Sequence, residues 1–160
     1  MKDGFLKIAC VTLPLRVADC VYNTEQIIRS ARTAAESDVR LAVFPELCLT
    51  GYTCGDLFLQ ETLLRGAEDG LVRILKETAD LQMLVIVGLP YAHCGALYNC
   101  AAVCYQGALL GMVPKQNLPN YGEFYEARHF TSGPDAETVP EKLSLRFHPG
   151  CTFAFGAKQL

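Results

Sequence analysis

Residues 41–52 read LAVFPELCLTGY, in which an apolar, strand-like run leads directly to a charged residue. Its first four residues predict a buried strand, which Pro45 closes. Residues 6–13 predict an earlier buried strand. Between the two strands, Asn23 and Gln26 form the capping-box pattern of a helix start, and apolar residues follow at helical spacing. A strand–helix–strand unit of this kind favours parallel strands.

The pattern then continues with a helix and three more strands. Asp56 is the expected cap of a helix that runs to about Ala79, with breaks at Gly66 and Gly70. A third buried strand is expected at 83–89. Residues 98–105 and 108–113 predict a tight antiparallel hairpin. Two weaker strands are expected at 142–147 and 151–155. The sequence therefore predicts an α/β fold with a mixed sheet, parallel first and antiparallel after.

Composition excludes several classes of protein. The chain of 160 residues is 51% apolar and 19% charged, which excludes intrinsic disorder. Its net charge of −3 lacks the basic surplus of a nucleic-acid binder, and its apolar runs are too short to span a membrane. No secretory signal is visible and the eight cysteines lack zinc-site spacing, so we expect a cytoplasmic protein with reduced thiols and no metal.

Two charged residues directly follow apolar strands. Glu46 comes after the strand at 41–44 and Lys115 after the strand at 108–113. Ligands of open α/β sheets bind beyond the carboxyl ends of strands, and a carboxylate taken out of water there needs a partner. Such a pair could act as a general base and an oxyanion stabiliser. On spacing alone, two solvated residues where a strand meets a loop are the favoured interpretation, because most strand-end charges are of this kind.

Two longer motifs add a family resemblance. Residues 44–52 read FPELCLTGY and residues 114–130 read PKQNLPNYGEFYEARHF. Together they resemble the nitrilase, or carbon–nitrogen hydrolase, superfamily. The second is similar to the K-x-x-L-P-N-Y-x-x-F-x-E-x-R-x-F signature of one branch, the N-terminal glutaminase domains of glutamine-dependent NAD+ synthetases. The resemblance implies that residues 1–160 are the N-terminal part of a glutamine amidohydrolase domain, a nitrilase-type α-β-β-α sandwich incomplete at its C-terminus.

The resemblance also implies the reaction and its residues. Glu46 would be the general base and acid, Lys115 would stabilise the oxyanion, and a cysteine thiolate would attack the side-chain amide of glutamine. Tyr121 matches the position that helps to hold glutamine. Pocket positions beside it match Phe124 and Glu126.

The aromatic ring of Tyr52 fits a pocket role and a packing role equally well.

The resemblance also implies that the released ammonia would pass to a separate synthetase domain, which would use ATP and Mg²⁺ for NAD+ synthesis. The domain in residues 1–160 would itself need no cofactor.

The nucleophile is the point where the resemblance fails. In the family the cysteine is followed by an acidic or aromatic residue and then Asp, and none of the eight cysteines has this context; Cys151, for example, precedes Thr152 and Phe153. We therefore expect the chain to be inactive alone. An incomplete sandwich exposes one face of its sheet, which favours a homo-oligomer.

Three other interpretations stay open at this point. The chain could be a fragment of a free-standing amidase or carbamoylase, although those relatives do not usually carry the second motif. A non-catalytic assembly domain would also fit the lack of a nucleophile. A flavodoxin-like binding domain fits the first strands, but it does not explain why Glu46 and Lys115 both follow strands.

Overall fold

The computed structural model describes residues 5–133 together with 154–155 and 158–159. One five-stranded sheet has its strands in chain order, namely Ile8–Cys10 (β1), Leu41–Val43 (β2), Leu84–His93 (β3), Ala96–Tyr105 (β4) and Ala108–Pro114 (β5). The helices are Cys20–Glu36 (α1), Glu61–Glu77 (α2) and Glu126–His129 (α3), and Gly55–Leu59 forms a 3-10 turn. A separate pair joins Ala154–Phe155 (β6) to Lys158–Gln159 (β7). No helix in these described ranges is long and apolar enough to cross a membrane.

The sheet is mixed, as the sequence predicts. β1 and β2 are parallel, β2 and β3 are parallel, and β3, β4 and β5 are antiparallel neighbours. The predicted hairpin turn is confirmed, because Gln106 and Gly107 have φ of 46° and 79°. A second turn of this kind, between β3 and β4, was not predicted. The expected strand at 142–147 lies outside the described residues, as does part of the one at 151–155.

The sheet and two helices form two packed layers. Ala42 pairs with Val85 and Val87 pairs with Ala102, and all four lie almost fully buried on one face of the sheet. They share one core cluster with Ile27 of α1 and with residues of α2. On the opposite face, side chains such as Val43, Ile86 and Val113 are only half-buried. These two layers correspond to half of the four-layer sandwich that the resemblance implies.

Strand β1 differs from the prediction for residues 6–13. It has three residues instead of eight, and it lies at the edge of the sheet, with β2 as its neighbour. The side chain of Ile8 is 57% exposed. The apolar pattern gave a strand in the right place, but it could not distinguish an edge strand from a buried one.

Helix α1 begins before the predicted cap. Asp19 is the cap, and its carboxylate accepts a hydrogen bond of 3.0 Å from the backbone N–H of Tyr22. The prediction that Asn23 is the cap is therefore wrong. The fully buried amide of Asn23 accepts from the N–H of Arg16, and it donates to the carbonyls of Arg16 and Leu49. It thus ties the start of α1 to the loop that follows β2.

Helix α2 also differs from its prediction. Asp56 lies in the 3-10 turn, and the helix begins later, at Glu61. Gly66 and Gly70 do not break it. They instead bring α1 close, because a Cβ at Gly70 would lie 2.5 Å from the hydroxyl oxygen of Thr24.

The loop after β2 is held tightly against β3. Leu47, Cys48 and Leu49 have no exposed surface, and the N–H of Leu49 donates to the carbonyl of Gly88 at 3.2 Å. A Cβ at Gly88 would lie 2.3 Å from the backbone nitrogen of Leu47. Only glycine allows this approach, which fixes the backbone on either side of Glu46.

Substitution of Gly88 tests this contact. The added methyl group of Gly88→Ala meets backbone atoms of Pro45, Glu46 and Leu47 within 2.9 Å, and backbone cannot move aside cheaply. We expect a loss of about 3 kcal/mol in the free energy of unfolding, measured by urea denaturation and circular dichroism.

Gly66→Ala is the matched control, because its Cβ would meet only the side chain of Cys20, at 3.3 Å. Its effect should stay within about 1 kcal/mol, since alanine also favours the helix. Equal effects of the two substitutions would contradict the proposed role of Gly88.

Candidate active site

The side chains of Glu46 and Lys115 meet at one edge of the sheet. Nζ of Lys115 donates to Oε1 of Glu46 at 2.6 Å, although the residues lie 69 positions apart in the sequence. Lys115 directly follows β5, and its N–H donates to the carbonyl of Asn99 in β4. The two strand-end side chains therefore converge in the structure. Glu46 is not a buried carboxylate, however, because 41% of its side chain is exposed.

The buried carboxylate of the site belongs to Glu126. Its side chain is only 4% exposed, and Oε1 accepts a bond of 2.8 Å from Nζ of Lys115 and one of 2.7 Å from the hydroxyl of Tyr52. Among the described residues, its second oxygen, Oε2, has no hydrogen-bond partner. Lys115 thus lies between an exposed carboxylate from the loop after β2 and a buried one from the start of α3.

Asn99 is a site residue that the sequence analysis missed. Its buried side chain donates from Nδ2 to Oε1 of Glu46, the same oxygen that Lys115 contacts. The available signal was a polar residue in the otherwise apolar strand pattern of residues 98–105. A buried amide needs a partner, and here that partner is the carboxylate.

The shared carboxylates change the proton affinity of their two donors. Burial opposes the charge of Lys115, but its hydrogen bonds to Glu126 and Glu46 outweigh that effect and raise its pKa above the ordinary 10.5. Burial also raises the pKa of Tyr52 well above 10, and the charge of Glu126 raises it further. Both groups therefore keep their protons and act as donors at neutral pH.

The predicted aromatic residues form a short chain beside the site. The rings of Tyr52 and Phe124 meet edge to face with centroids 6.5 Å apart, and Phe124 and Tyr121 do so at 5.7 Å. Tyr121 is largely exposed, whereas Phe124 is half-buried. The structure thus brings all six sequence-predicted residues into one region, and their contact with a substrate stays a prediction.

Two hollows adjoin the charged cluster. Glu46, Asn99 and Lys115 line one of about 370 Å³, together with residues from β2, β3 and β5. Tyr52 and Glu126 line the other, of about 480 Å³. The contact between Lys115 and Glu126 joins them. A small polar molecule could therefore reach the ammonium group from the sheet side, where both Glu46 and Lys115 are accessible.

None of the seven described cysteines is an exposed thiol beside this pair. Cys100 lines the same hollow as Glu46 and Lys115, but it is buried, and burial raises the pKa of its thiol to about 12. Cys48 is nearest to Glu46 in sequence, but its sulfur is fully buried and burial raises the pKa of its thiol to about 12. A thiol of this kind is a poor nucleophile. Cys10 and Cys94 are exposed, but they lie on the edge strand and in the turn between β3 and β4. The described residues also contain no group of three or more potential metal ligands.

Comparison with known proteins gives a consistent result. The family model described as carbon-nitrogen hydrolase matches residues 7–145. The chain is 42% identical over 159 residues to the glutamine-dependent NAD(+) synthetase of Mycobacterium bovis, and 37% identical over 128 residues to that of Aquifex aeolicus. These matches cover 99% and 80% of this chain, but it spans only 22% of the length of either relative.

Solved structures show the same fold. A glutamine-dependent NAD(+) synthetase from Cytophaga hutchinsonii superposes with a TM-score of 0.87 at 27% identity, over 96% of this chain and 27% of that one. An amidase from Nesterenkonia superposes with a TM-score of 0.75 at 21% identity, over 99% of this chain and 55% of that one. The second similarity concerns the fold alone. The α/β fold with a nitrilase-type mixed sheet is thereby confirmed.

The raised pKa of Tyr52 can be measured by alkaline titration. Because this pKa is higher in the folded than in the unfolded state, its contribution to stability is complete below pH 10 and is lost as the pH rises further. We expect Tyr52→Phe to leave the tyrosinate absorbance at about pH 10 unchanged, since Tyr52 is still protonated there.

Glu126→Gln provides the complementary test. Loss of the negative charge should lower the pKa of Tyr52, so that more tyrosinate forms at the same pH while circular dichroism shows the chain still folded. A clear drop of tyrosinate absorbance in Tyr52→Phe would show that Tyr52 ionises in the ordinary range.

Proposed function

The chain belongs to the carbon–nitrogen hydrolase family, and we propose from this that it forms the N-terminal part of a domain that hydrolyses glutamine to glutamate and ammonia. The observation that carries the proposal is the position of the Lys115 ammonium group, 2.6 Å from Glu46 and 2.8 Å from Glu126. Such a pair suits amide hydrolysis, because the fixed cation stabilises the oxyanion and the accessible carboxylate transfers the proton.

The reaction would proceed in two halves. A cysteine thiolate attacks the amide carbon, and Lys115 stabilises the negative charge that develops on the carbonyl oxygen. Glu46 accepts the thiol proton and passes it to the nitrogen, so that the C–N bond breaks and ammonia leaves. Water then attacks the thioester with Glu46 as the base, which releases glutamate and regenerates the thiol. The attacking cysteine is none of the seven described ones.

The aromatic chain would define the substrate pocket. Tyr121, Phe124 and Tyr52 lie in contact beside the cluster, where they can cover the aliphatic part of a glutamine side chain. Glu126 would hold Lys115 from the buried side and also flank this pocket. The cluster supplies the polar groups, and the rings supply the apolar wall.

The ammonia would serve NAD+ synthesis in a longer protein. The relatives named above are glutamine-dependent NAD(+) synthetases of which this chain matches about a fifth. We assign ATP and Mg²⁺ to the synthetase part and no cofactor to these residues. A cytoplasmic location is supported by the free state of all seven described cysteines. A free-standing amidase is the alternative, favoured only by the shared fold.

Two substitutions in the full-length protein test the chemistry. Glu46→Gln removes the proton acceptor, and Lys115→Met removes the cation. Each should lower the rate of ammonia release from glutamine by about a hundredfold or more. Synthesis of NAD+ from added ammonia should be unaffected.

Glu61→Gln and Lys76→Met are the matched controls, because both residues lie on α2, outside the charged cluster. They should retain full glutaminase activity. Residues 1–160 alone should release no ammonia, and turnover by this chain that is abolished in Cys48→Ala would overturn the assignment of the nucleophile. Preference for another amide over glutamine would favour the free-standing amidase.

Self-association is a separate proposal for the isolated chain. Ile8 on the edge strand is exposed, and it lies beside the half-buried sheet face that contains Val43 and Ile86. An apolar edge strand is a ready site for pairing with a second copy. Light scattering should give a mass above 17.5 kDa that falls on dilution and in Ile8→Lys. A mass that stays monomeric at every concentration would contradict this proposal.

A further inference from the structure

Helix α3 is too short to fix its own orientation. It contains only the four residues Glu126–His129, and an isolated helix of one turn is unstable in water. Its first residue is nevertheless the buried carboxylate that contacts Lys115. The direction of the Glu126 side chain must therefore be set by contacts that the rest of α3 makes with its surroundings.

Two further side chains of α3 contact Asp56 in the 3-10 turn. Nε and Nη2 of Arg128 each donate to one oxygen of the Asp56 carboxylate at 3.0 Å. Nε2 of His129 lies 3.1 Å from Oδ1 of the same carboxylate. A paired Arg–carboxylate contact fixes orientation as well as distance. Two consecutive residues of α3 are thus attached to one side chain.

The 3-10 turn is itself anchored close to Glu46. Phe58, in the same turn as Asp56, packs against Phe130 with ring centroids 5.0 Å apart. Cys54 precedes the turn, and its buried thiol donates to the carbonyl of Thr50, in the loop that follows Glu46. A continuous set of contacts therefore leads from the loop of Glu46 through Asp56 to Glu126.

We propose that Asp56 is a positioning residue that holds α3 so that Glu126 contacts Lys115. This inference rests on the proposed amide hydrolysis, because its consequence is expressed through the rate of that reaction. Asp56 and Arg128 are 64% and 65% exposed, and exposed ion pairs contribute little to stability. The contact therefore acts on geometry, and its loss should affect the reaction much more than the folding of the chain.

The experiment compares Asp56→Asn with Asp80→Asn in the full-length protein. Asp80 makes the same kind of paired contact, with Arg32, at 3.0 and 3.1 Å, and it lies outside the charged cluster. We expect kcat for ammonia release to fall about tenfold or more in Asp56→Asn, because small displacements of reacting groups are costly. KM should change less than about twofold, since the loss concerns charge in the transition state.

Arg128→Gln should reproduce the fall in kcat, and the double variant should be no slower than either single variant. Urea denaturation should give all variants the same midpoint as Asp80→Asn. Normal kcat in Asp56→Asn, an equal fall in Asp80→Asn, or independent effects of Asp56 and Arg128 would each overturn the inference. A wild-type protein that releases no ammonia would instead overturn the proposed function, and this inference with it.

Discussion

The ammonium group of Lys115, held between two carboxylates, is the interaction on which the rest of the site depends. Glu126 is almost fully buried, and a charged carboxylate in that position is costly unless a cation and further donors accompany it. Lys115 supplies the cation and Tyr52 supplies a donor. The same lysine holds Glu46, so the ends of β2 and β5 and the start of α3 are joined through one nitrogen atom.

This arrangement needs an accurately placed loop after β2. Glycine at position 88 lets the loop approach β3, and the buried amide of Asn23 attaches its far end to the start of α1. Asn23 makes its hydrogen bonds with Arg16 and Leu49, and Gly88 lies against the backbone of the loop. Both residues restrict the conformation of the backbone around Glu46, so that its carboxylate is held in place beside Lys115.

Much of this could be predicted from the sequence, and the exceptions have physical reasons. Apolar runs bounded by Pro45 and by Gln106-Gly107 located β2 and the last hairpin, because local chemistry alone determines such boundaries. The roles of Gly66 and Asn23 depend on which helix lies opposite, and no local pattern contains that information. Likewise, the sequence placed Glu46 and Lys115 at strand ends, but it could not show that Glu126 is the carboxylate that becomes buried.

The unequal exposure of the two carboxylates determines which of them bulk solvent can reach. Glu46 has 41% of its side chain open to solvent, whereas Glu126 has 4%. Bulk water can therefore contact Glu46 directly, whereas the surrounding protein shields Glu126 from it. One lysine thus separates a carboxylate that solvent reaches from a carboxylate that the protein encloses.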